Sequence, residues 1–581
     1  MDKREIVSYL KDFFSLMQIV EENSFKLKAY NNAIRKFEYM DEGEFLRYIR
    51  ERKLESIKGI GKKISNNVYE LFEEGQIREY EELKRSVPEG LLMMLKIPGL
   101  GPKKVKKIYE ELGIQNIKDL KKAVLEGKLR ELKGFGSKID KKILDGIQFI
   151  LKGEGLFRYD IVYQKATEIG EFLINFDIVE DVKFCGKLRR FENAIDEMDI
   201  ILVPGKKSED EFSMVIKDFS HSGDVLEYIK REDNLFSFLL SDGMKLNLYR
   251  VFKSDLPYCL QQLTGSARHN ELLNDFLSKK NMYLSKEGLF DGSGNKIPCE
   301  SEEELYFKMG FKNFIIPEIR EGMGEIEAAL QGKLTDIVSE GDLKGVIHLH
   351  TTYSDGRNSI LEMAEYCMNR GYKYMVVSDH SKSAFYANGL SEERVFKQFE
   401  EIDRLNERLD SFRILKGIEV DILKDGSLDY DDSVLSKFDI VIASIHSSFS
   451  MSKEEMTERI LRALENRYVD ILGHPTGRLI LQREGYKVDM DRIFEVAMRN
   501  NKAIEINANP HRLDLDWKYV KRAMELGIKL SINPDAHITG GIDDIFWGVL
   551  VARKGWAKKS MILNCLECEE LLQWKKKRLL K

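Results

Sequence analysis

The chain has little histidine and little cysteine: nine and six, respectively, in 581 residues. It also lacks any apolar run near the roughly 18 residues needed to span a bilayer, which excludes a helical membrane protein. The first residues, MDKREIVSYLKDFF, are charged and resemble neither a secretory signal nor a transit peptide. Cysteines this sparse exclude a disulfide scaffold and fit a reduced, cytoplasmic setting. Cys565 and Cys568 form a lone C-x-x-C. A structural zinc site needs a second ligand pair, and none is near in sequence, so the pair reads as inert. A hydrophobic content of 43% with 33% charged residues is that of a globular protein. A chain this long cannot form one core, and three or four domains are expected.

Because histidine is scarce, its placement carries information. Only His221 and His269 precede residue 340, and the other seven fall between 348 and 537. That region alternates short apolar runs with helical patterns, which predicts a parallel α/β sheet or barrel. The runs include GVIHLH, YKYMVVSDH, RILKGIEVDI, FDIVIASIH, VDILGHP, KAIEINANP and IKLSINPDAH. In VIHLHTTYSDG, His348 and His350 are two apart, the spacing that puts both on one face of a strand, with Asp355 in the following loop. His380, Glu419, His446, His474, Asp535 and His537 likewise sit at or just past a strand's C-terminal end, where α/β barrels build their sites. These nine groups are too many for one ion. With four to six ligands per ion they suit two or three, and the mixture of imidazole and carboxylate favours Zn²⁺, Mn²⁺ or Fe²⁺ over Mg²⁺ or Ca²⁺. No serine or cysteine nucleophile competes, so metal-assisted hydrolysis of a phosphate ester is the expected chemistry.

HLHTTYSDG, the SDH at 378–380, GIEVDI, SIH, GHP and NPDAH together resemble the PHP (polymerase and histidinol phosphatase) family of metal-dependent phosphoesterases. All nine positions match its pattern. The resemblance implies a distorted (β/α)7 barrel over 341–581 with a multinuclear site, Mn or Zn being the expected metals. Asp379 is expected to support the ligands, Arg512 to lie on the phosphate side, and His511 to be structural.

The first half carries a different signal. LESIKGIGKKISNNVYEL, LKIPGLGPKKVKKIYEEL and LRELKGFGSKIDKKILDGI share one layout: an apolar turn, Gly-x-Gly, then a lysine-bearing helix. The pairs are Gly59/Gly61, Gly99/Gly101 and Gly134/Gly136. Glycine permits the tight turn and a close backbone approach, and a helix start is a ready anion site. The three copies resemble helix-hairpin-helix motifs, which grip the DNA backbone without reading sequence. From Lys96 to Lys142 there are fourteen basic against six acidic residues, within a chain of net charge −6. Lys103 and Lys104 are the candidate phosphate contacts.

CGKLRRFENAIDEMDIILVP (185–204), with FKLKAYNNAIRKFEYM before it and QQLTGS and PEIREGMGEIEAA after it, resembles a family X DNA polymerase of the polymerase beta type. A family X core joined to a C-terminal PHP domain is the architecture of bacterial family X polymerases, which act in DNA repair. The resemblance implies helical helix-hairpin-helix domains over 1–90 and 91–155, an α+β nucleotidyltransferase palm with its C-terminal subdomain over 156–325, and a linker over 326–340. It also implies palm catalysis by carboxylates that hold Mg²⁺, with Gly186, Arg189, Arg190 and Gly265 near a bound dNTP. Here the chain departs from the pattern. Lys187 stands in place of a serine, Glu197 precedes Asp199 where Asp-x-Asp is expected, and Asn247 takes the third acidic position. Asn67 stands where a lyase lysine is expected.

Three readings stay open at this stage. In the first, a monomer grips gapped, nicked or broken DNA and trims 3′ ends or cuts at abasic sites in the barrel, with an impaired palm. The second is an active gap-filling polymerase with the barrel proofreading. The third is a DNA-end-binding protein whose barrel serves small phosphate esters.

Overall fold

Two units divide the chain, Met1–Glu154 and Gly155–Lys581. The computed structural model describes residues 3–20, 24–40, 42–85, 87–95, 97, 100–132, 134–153, 155–205, 209–232 and 234–580. No helix among them is long and apolar enough to cross a membrane.

The first unit is helical and holds two apolar clusters. One gathers Leu10, Phe13, Phe37, Val68 and Tyr80. The other gathers Leu91, Val105, Ile108, Leu120 and Ile147. Helices Lys62–Glu74, Pro102–Leu112 and Ser137–Gly153 begin directly after Gly61, Gly101 and Gly136. Gly59 and Gly134 take φ of +88° and +98°, a region that side chains disfavour. Gly99 lies outside the described residues. A Cβ added at Gly61, Gly101 or Gly136 would meet nothing within 4 Å, so each helix start is open to approach.

The second unit begins with a five-stranded sheet. Its strands run Val179–Cys185, Glu197–Pro204, Lys245–Arg250, Leu235–Leu240 and Val225–Glu232 in spatial order. The register sets Asp199 beside Cys185 on one side and Asn247 on the other. A smaller helical part follows, built on Leu256–Thr264, Ala267–Ser278 and Glu302–Lys308, with Leu273, Leu305 and Tyr306 in its core. The segment 326–340, expected to be a linker, is packed instead. Ile326 and Ala329 belong to that core, and the Val338 N–H donates to the Ala557 carbonyl at 2.9 Å. Its apolar residues find partners on both sides, so no free tether remains.

Seven parallel strands, from Gly345–Leu349 to Leu530–Asn533, then pair in strict sequence order. Most are buried along their whole length, as expected for strands covered on both faces. The ring closes where Leu349 bridges Ala536 and the His350 N–H donates to the Ala536 carbonyl at 2.9 Å. Palm and barrel share one apolar cluster. At their junction Tyr159 and Tyr163 meet Trp547, with ring centroids 5.8 and 5.5 Å apart. The buried Lys554 donates to the Arg190 carbonyl at 2.8 Å and to Glu321 at 2.6 Å.

Candidate metal centre

The nine sequence-derived groups converge at the C-terminal rim of the barrel. Glu419 is central. Its oxygens lie 3.4 Å from His348 Nε2, 3.7 Å from His350 Nε2, 2.9 Å from His380 Nδ1, 3.3 Å from His446 Nε2 and 3.0 Å from His474 Nε2. Asp535 Oδ1 lies 3.1 Å from His350 Nε2 and 3.6 Å from His348 Nε2. Asp355 Oδ1 is 3.4 Å from His537 Nε2 and 3.7 Å from His380 Nε2. Ligand-type atoms cluster in three overlapping groups: His350/Asp355/His380/His537, His348/His350/Asp535 and His380/Glu419/His446.

The strand argument for His348 and His350 needs one correction. The register shifts between Val346 and Leu349, and His348 takes φ of +67°, so simple alternation fails there. The bulge re-aims His348 while leaving the two rings 5.2 Å apart. Asp535 also sits at positive φ, +54°. Backbone of this kind costs about 1–3 kcal/mol per residue and persists where surrounding structure enforces it, often at functional sites.

Burial and charge set the protonation pattern. Burial disfavours a charged His446, yet Glu419 and Asp421 carry it up to about 10. Burial likewise opposes His537, which Asp355 and Asp535 raise to about 9. Burial together with His537 and His380 pushes His350 down to about 3. Against burial, the surrounding imidazoles hold Glu419 and Asp535 well below the usual carboxylate range. Several buried atoms of the site have no hydrogen-bond partner among the described residues: His348 Nε2, both ring nitrogens of His350, His380 Nδ1, Glu419 Oε2 and His474 Nδ1. His380 Nδ1 and Glu419 Oε2 are only 2.9 Å apart but are not aligned as donor and acceptor. Buried polar atoms are costly when left unpaired, and a donor set of this chemistry fits divalent cations.

The palm is built the other way. The Asn247 side-chain amide donates to Asp199 Oδ1 at 3.0 Å and to Glu197 Oε2 at 3.3 Å. Tyr249 donates to the same Asp199 oxygen at 3.3 Å, and Ser237 donates to Asn247 Oδ1 at 2.8 Å. Burial, with the Glu197 charge, pushes Asp199 up to about 6 against these hydrogen bonds. Gly186 takes φ of +61°, and a Cβ there would fall 2.0 Å from Asp199 Oδ2. Lys187, standing in place of a serine, meets Asp196 at 2.6 Å, and Asp196 is an exposed residue just ahead of the strand that carries Glu197 and Asp199. Arg189 and Arg190, expected at a nucleotide, serve the protein. Arg189 forks onto Glu302 at 2.7 and 3.1 Å. The buried Arg190 donates to the Thr264 carbonyl at 2.7 Å and to Glu321 at 3.0 Å. Gly265 ends a helix where a Cβ would lie 2.2 Å from Asn270 Oδ1. None of the three possible metal-holding groups found among the described residues lies in the palm.

Four family models match the chain: a helix-hairpin-helix domain over 1–77, a SAM-like helix-hairpin-helix tandem over 91–148, a DNA polymerase beta thumb over 259–321 and a PHP domain over 347–509. The DNA polymerase/3'-5' exonuclease PolX of Bacillus subtilis (strain 168) is 38% identical over 577 residues, covering 98% of this chain and 99% of the relative. The chain belongs to the PolX family. A probable phosphatase of Thermoanaerobacter sp. (strain X514) is 30% identical over 235 residues, which are 38% of this chain and 91% of that protein. A probable phosphatase of Caldanaerobacter subterraneus is 26% identical over 245 residues, 40% of this chain and 92% of the relative. Membership makes this PolX-family chain a DNA-binding enzyme with a metal-dependent phosphoesterase domain.

Within the PolX frame, other residues support the ligands. Glu505 faces His348 Nδ1 at 2.5 Å and accepts from the His474 N–H at 2.6 Å and from Asn533 at 2.7 Å. Asp421 faces His446 Nδ1 at 2.5 Å. Sequence reasoning missed both, although an acid inside an otherwise apolar strand (AIEIN, IEVDI) was the available signal. Asp379 accepts from the Thr351 N–H and hydroxyl and from Gln398, fixing the loop that carries Asp355. Arg512 lies 3.9 Å from Asp535, and Arg158 of the palm donates to His511 at 2.8 Å. In the helical unit Lys103 is exposed, while Lys104 lies over the Phe135 ring. Asn67 is buried and donates to Tyr30 at 2.6 Å and to Glu79 at 3.2 Å. All six cysteines are free.

Proposed function

We propose that this PolX-family chain trims the 3′ ends of gapped, nicked or broken DNA by metal-assisted phosphodiester hydrolysis in its barrel, acting as a monomer, while the palm contributes little synthesis. The observation that carries the reading is the set of three overlapping groups at one rim, with five buried ring nitrogens and one carboxylate oxygen of the site left without a hydrogen-bond partner among the described residues. His348, His350, Asp355, His380, Glu419, His446, His474, Asp535 and His537 would hold two or three divalent ions, Mn²⁺ or Zn²⁺. Such ions activate water and neutralise charge developing on a phosphate. Glu505 and Asp421 orient His348 and His446, since a carboxylate on one ring nitrogen fixes which nitrogen faces inward. Arg512 offers a guanidinium to a phosphate oxygen beside Asp535.

The glycine hairpins would hold the DNA backbone through helix starts and lysines, without sequence preference. The relative's printed name also includes polymerase activity. In this palm the Asn247 amide occupies the space between Glu197 and Asp199, which disfavours Mg²⁺ there and leaves a dNTP without its usual anchor. The test is a 5′-labelled gapped duplex with Mn²⁺, with and without dNTPs. Shortening in both, abolished by a chelator, is expected. Lengthening with dNTPs would favour the gap-filling reading.

A further inference from the structure

Resting on the nuclease reading above, we infer that Phe385 and Tyr386 form a stacking site for the unpaired base at a DNA 3′ end. The two rings occupy a single turn, Phe385–Ala387, on the loop that follows His380. Phe385 is 88% exposed and Tyr386 68%. The Tyr386 ring lies 6.2 Å from His380 and 6.4 Å from His446, so it borders the candidate metal centre directly.

The loop beneath the rings is firmly held. The Ser383 N–H donates to Asp429 at 2.7 Å, and its hydroxyl donates to Asp421 at 2.6 Å, the same carboxylate that faces His446. The Asn388 amide donates to the Tyr353 and Ser354 carbonyls, both at 3.3 Å, on the loop that carries Asp355. Gly389 lies so close to Ser381 that a Cβ would fall 2.0 Å from its carbonyl oxygen. Ala384, Ala387 and Leu390 fill the interior of the turn. The two aromatic rings are therefore not needed for its packing, yet they are presented outward on a fixed frame.

A nucleobase is the occupant that this geometry favours. A phosphodiester at the histidine cluster carries its flanking nucleoside to the rim, where the Tyr386 ring stands. Base–aromatic stacking is indifferent to sequence, because every base has a π-face, and this matches the sequence-independent grip of the hairpins. A base inside a duplex is already stacked and paired, so it cannot use the site without unstacking. The site thus selects single-stranded, frayed or mismatched ends.

The test uses the full-length chain, the double variant Phe385→Ala/Tyr386→Ala, and single-stranded 3′ tails ending either in a normal nucleotide or in a base-free tetrahydrofuran residue. The unmodified chain should cleave the normal end with a kcat/KM about tenfold above that for the base-free end, the order of one base–aromatic stack. The double variant should cut both ends equally, at the unmodified chain's base-free rate. An equal loss on both ends, or a base preference that survives the substitution, overturns the proposal. A second arm reads contact without catalysis. In the His348→Ala background without metal, a 3′-terminal 5-iododeoxyuridine should photocrosslink at Phe385 or Tyr386. Crosslinks that map only elsewhere overturn the stacking site. If the unmodified chain cuts neither end, the nuclease reading fails while the crosslink still decides the base contact.

Discussion

Glu419 in the barrel and Asp199 in the palm are both buried acids on strands of the same unit, and their surroundings are opposite. Glu419 faces five imidazoles, and one of its oxygens has no hydrogen-bond partner. Asp199 accepts from Asn247 and Tyr249, and Asn247 also reaches Glu197. One site leaves its polar atoms unspent, which is tolerable only if a ligand completes them. The other has satisfied its acids internally. The difference separates a site whose buried donor atoms stand unpaired from one whose acids are already paired with protein donors.

The largest expected effect lies in the barrel. His348→Ala or Asp535→Ala should lower Mn²⁺-dependent 3′-to-5′ degradation by several orders of magnitude, because losing a ligand from a multinuclear site removes the activating ion. DNA binding, measured by fluorescence anisotropy, should stay near normal. Full nuclease activity in both variants would erase the contrast.

Next comes the palm. With the barrel silenced by His348→Ala, primer extension with Mg²⁺ should be negligible. Lys187→Ser, Glu197→Asp and Asn247→Asp together should recover measurable synthesis. Asn247→Asp should account for most of the gain, since it removes the bridging donor and adds a charge worth several kcal/mol at such distances at an effective dielectric of about 20. Lys187→Ser should contribute least, because Lys187 is occupied by Asp196. Robust gap filling by the palm without these changes would show that its paired acids still release to a metal.

A smaller effect concerns pH. Asp199 is raised to about 6, so its charged form costs stability. That cost is absent below its unfolded value near 3.9, grows as pH rises, and is complete above about 6. Asp199→Asn should therefore stabilise the second unit by about 1–3 kcal/mol at pH 8 in urea unfolding, and by almost nothing at pH 4. An equal gain at both values would point to packing rather than charge.

The smallest effect should touch both sites alike. Replacing Lys103 and Lys104 should weaken binding to every DNA sequence and reduce the slope of log affinity against log salt by up to about 0.9 per lost phosphate contact. Lys106 and Lys107 pair with Glu110 and Glu111, so they should add less. An unchanged slope would make these lysines a solvated helix face.

Much of this was legible in the sequence because it rests on local patterns. Apolar runs ending in His or Asp located the barrel rim, and repeated Gly-x-Gly located the hairpins. The substitutions at 187, 197 and 247 located the altered palm. What stayed hidden depends on contacts distant in the chain. Arg189 and Arg190 are drawn to Glu302 and Glu321, more than a hundred residues away. Glu505 reaches His348 from five strands on in the barrel. The bulge at His348 is invisible to alternation, since the sequence there still reads as a strand. Segment 326–340 lies between two domains in sequence and was expected to be a tether, yet Ile326 and Ala329 pack into the core before it and Val338 into the core after it.

The ammonium of Lys554 has a consequence for how this protein can be dissected. It is enclosed by the Arg190 carbonyl, Glu192, Glu321 and the face of Trp517. Cutting the chain ahead of the barrel would strip that cation from two acids and bare the rings of Tyr159 and Tyr163. A polymerase half expressed alone would therefore differ from the intact chain at this junction as well as in its covalent length, and a barrel alone would lose both acids that meet Lys554. Assigning activities to the two halves calls for point substitutions in the intact chain rather than for truncated pieces.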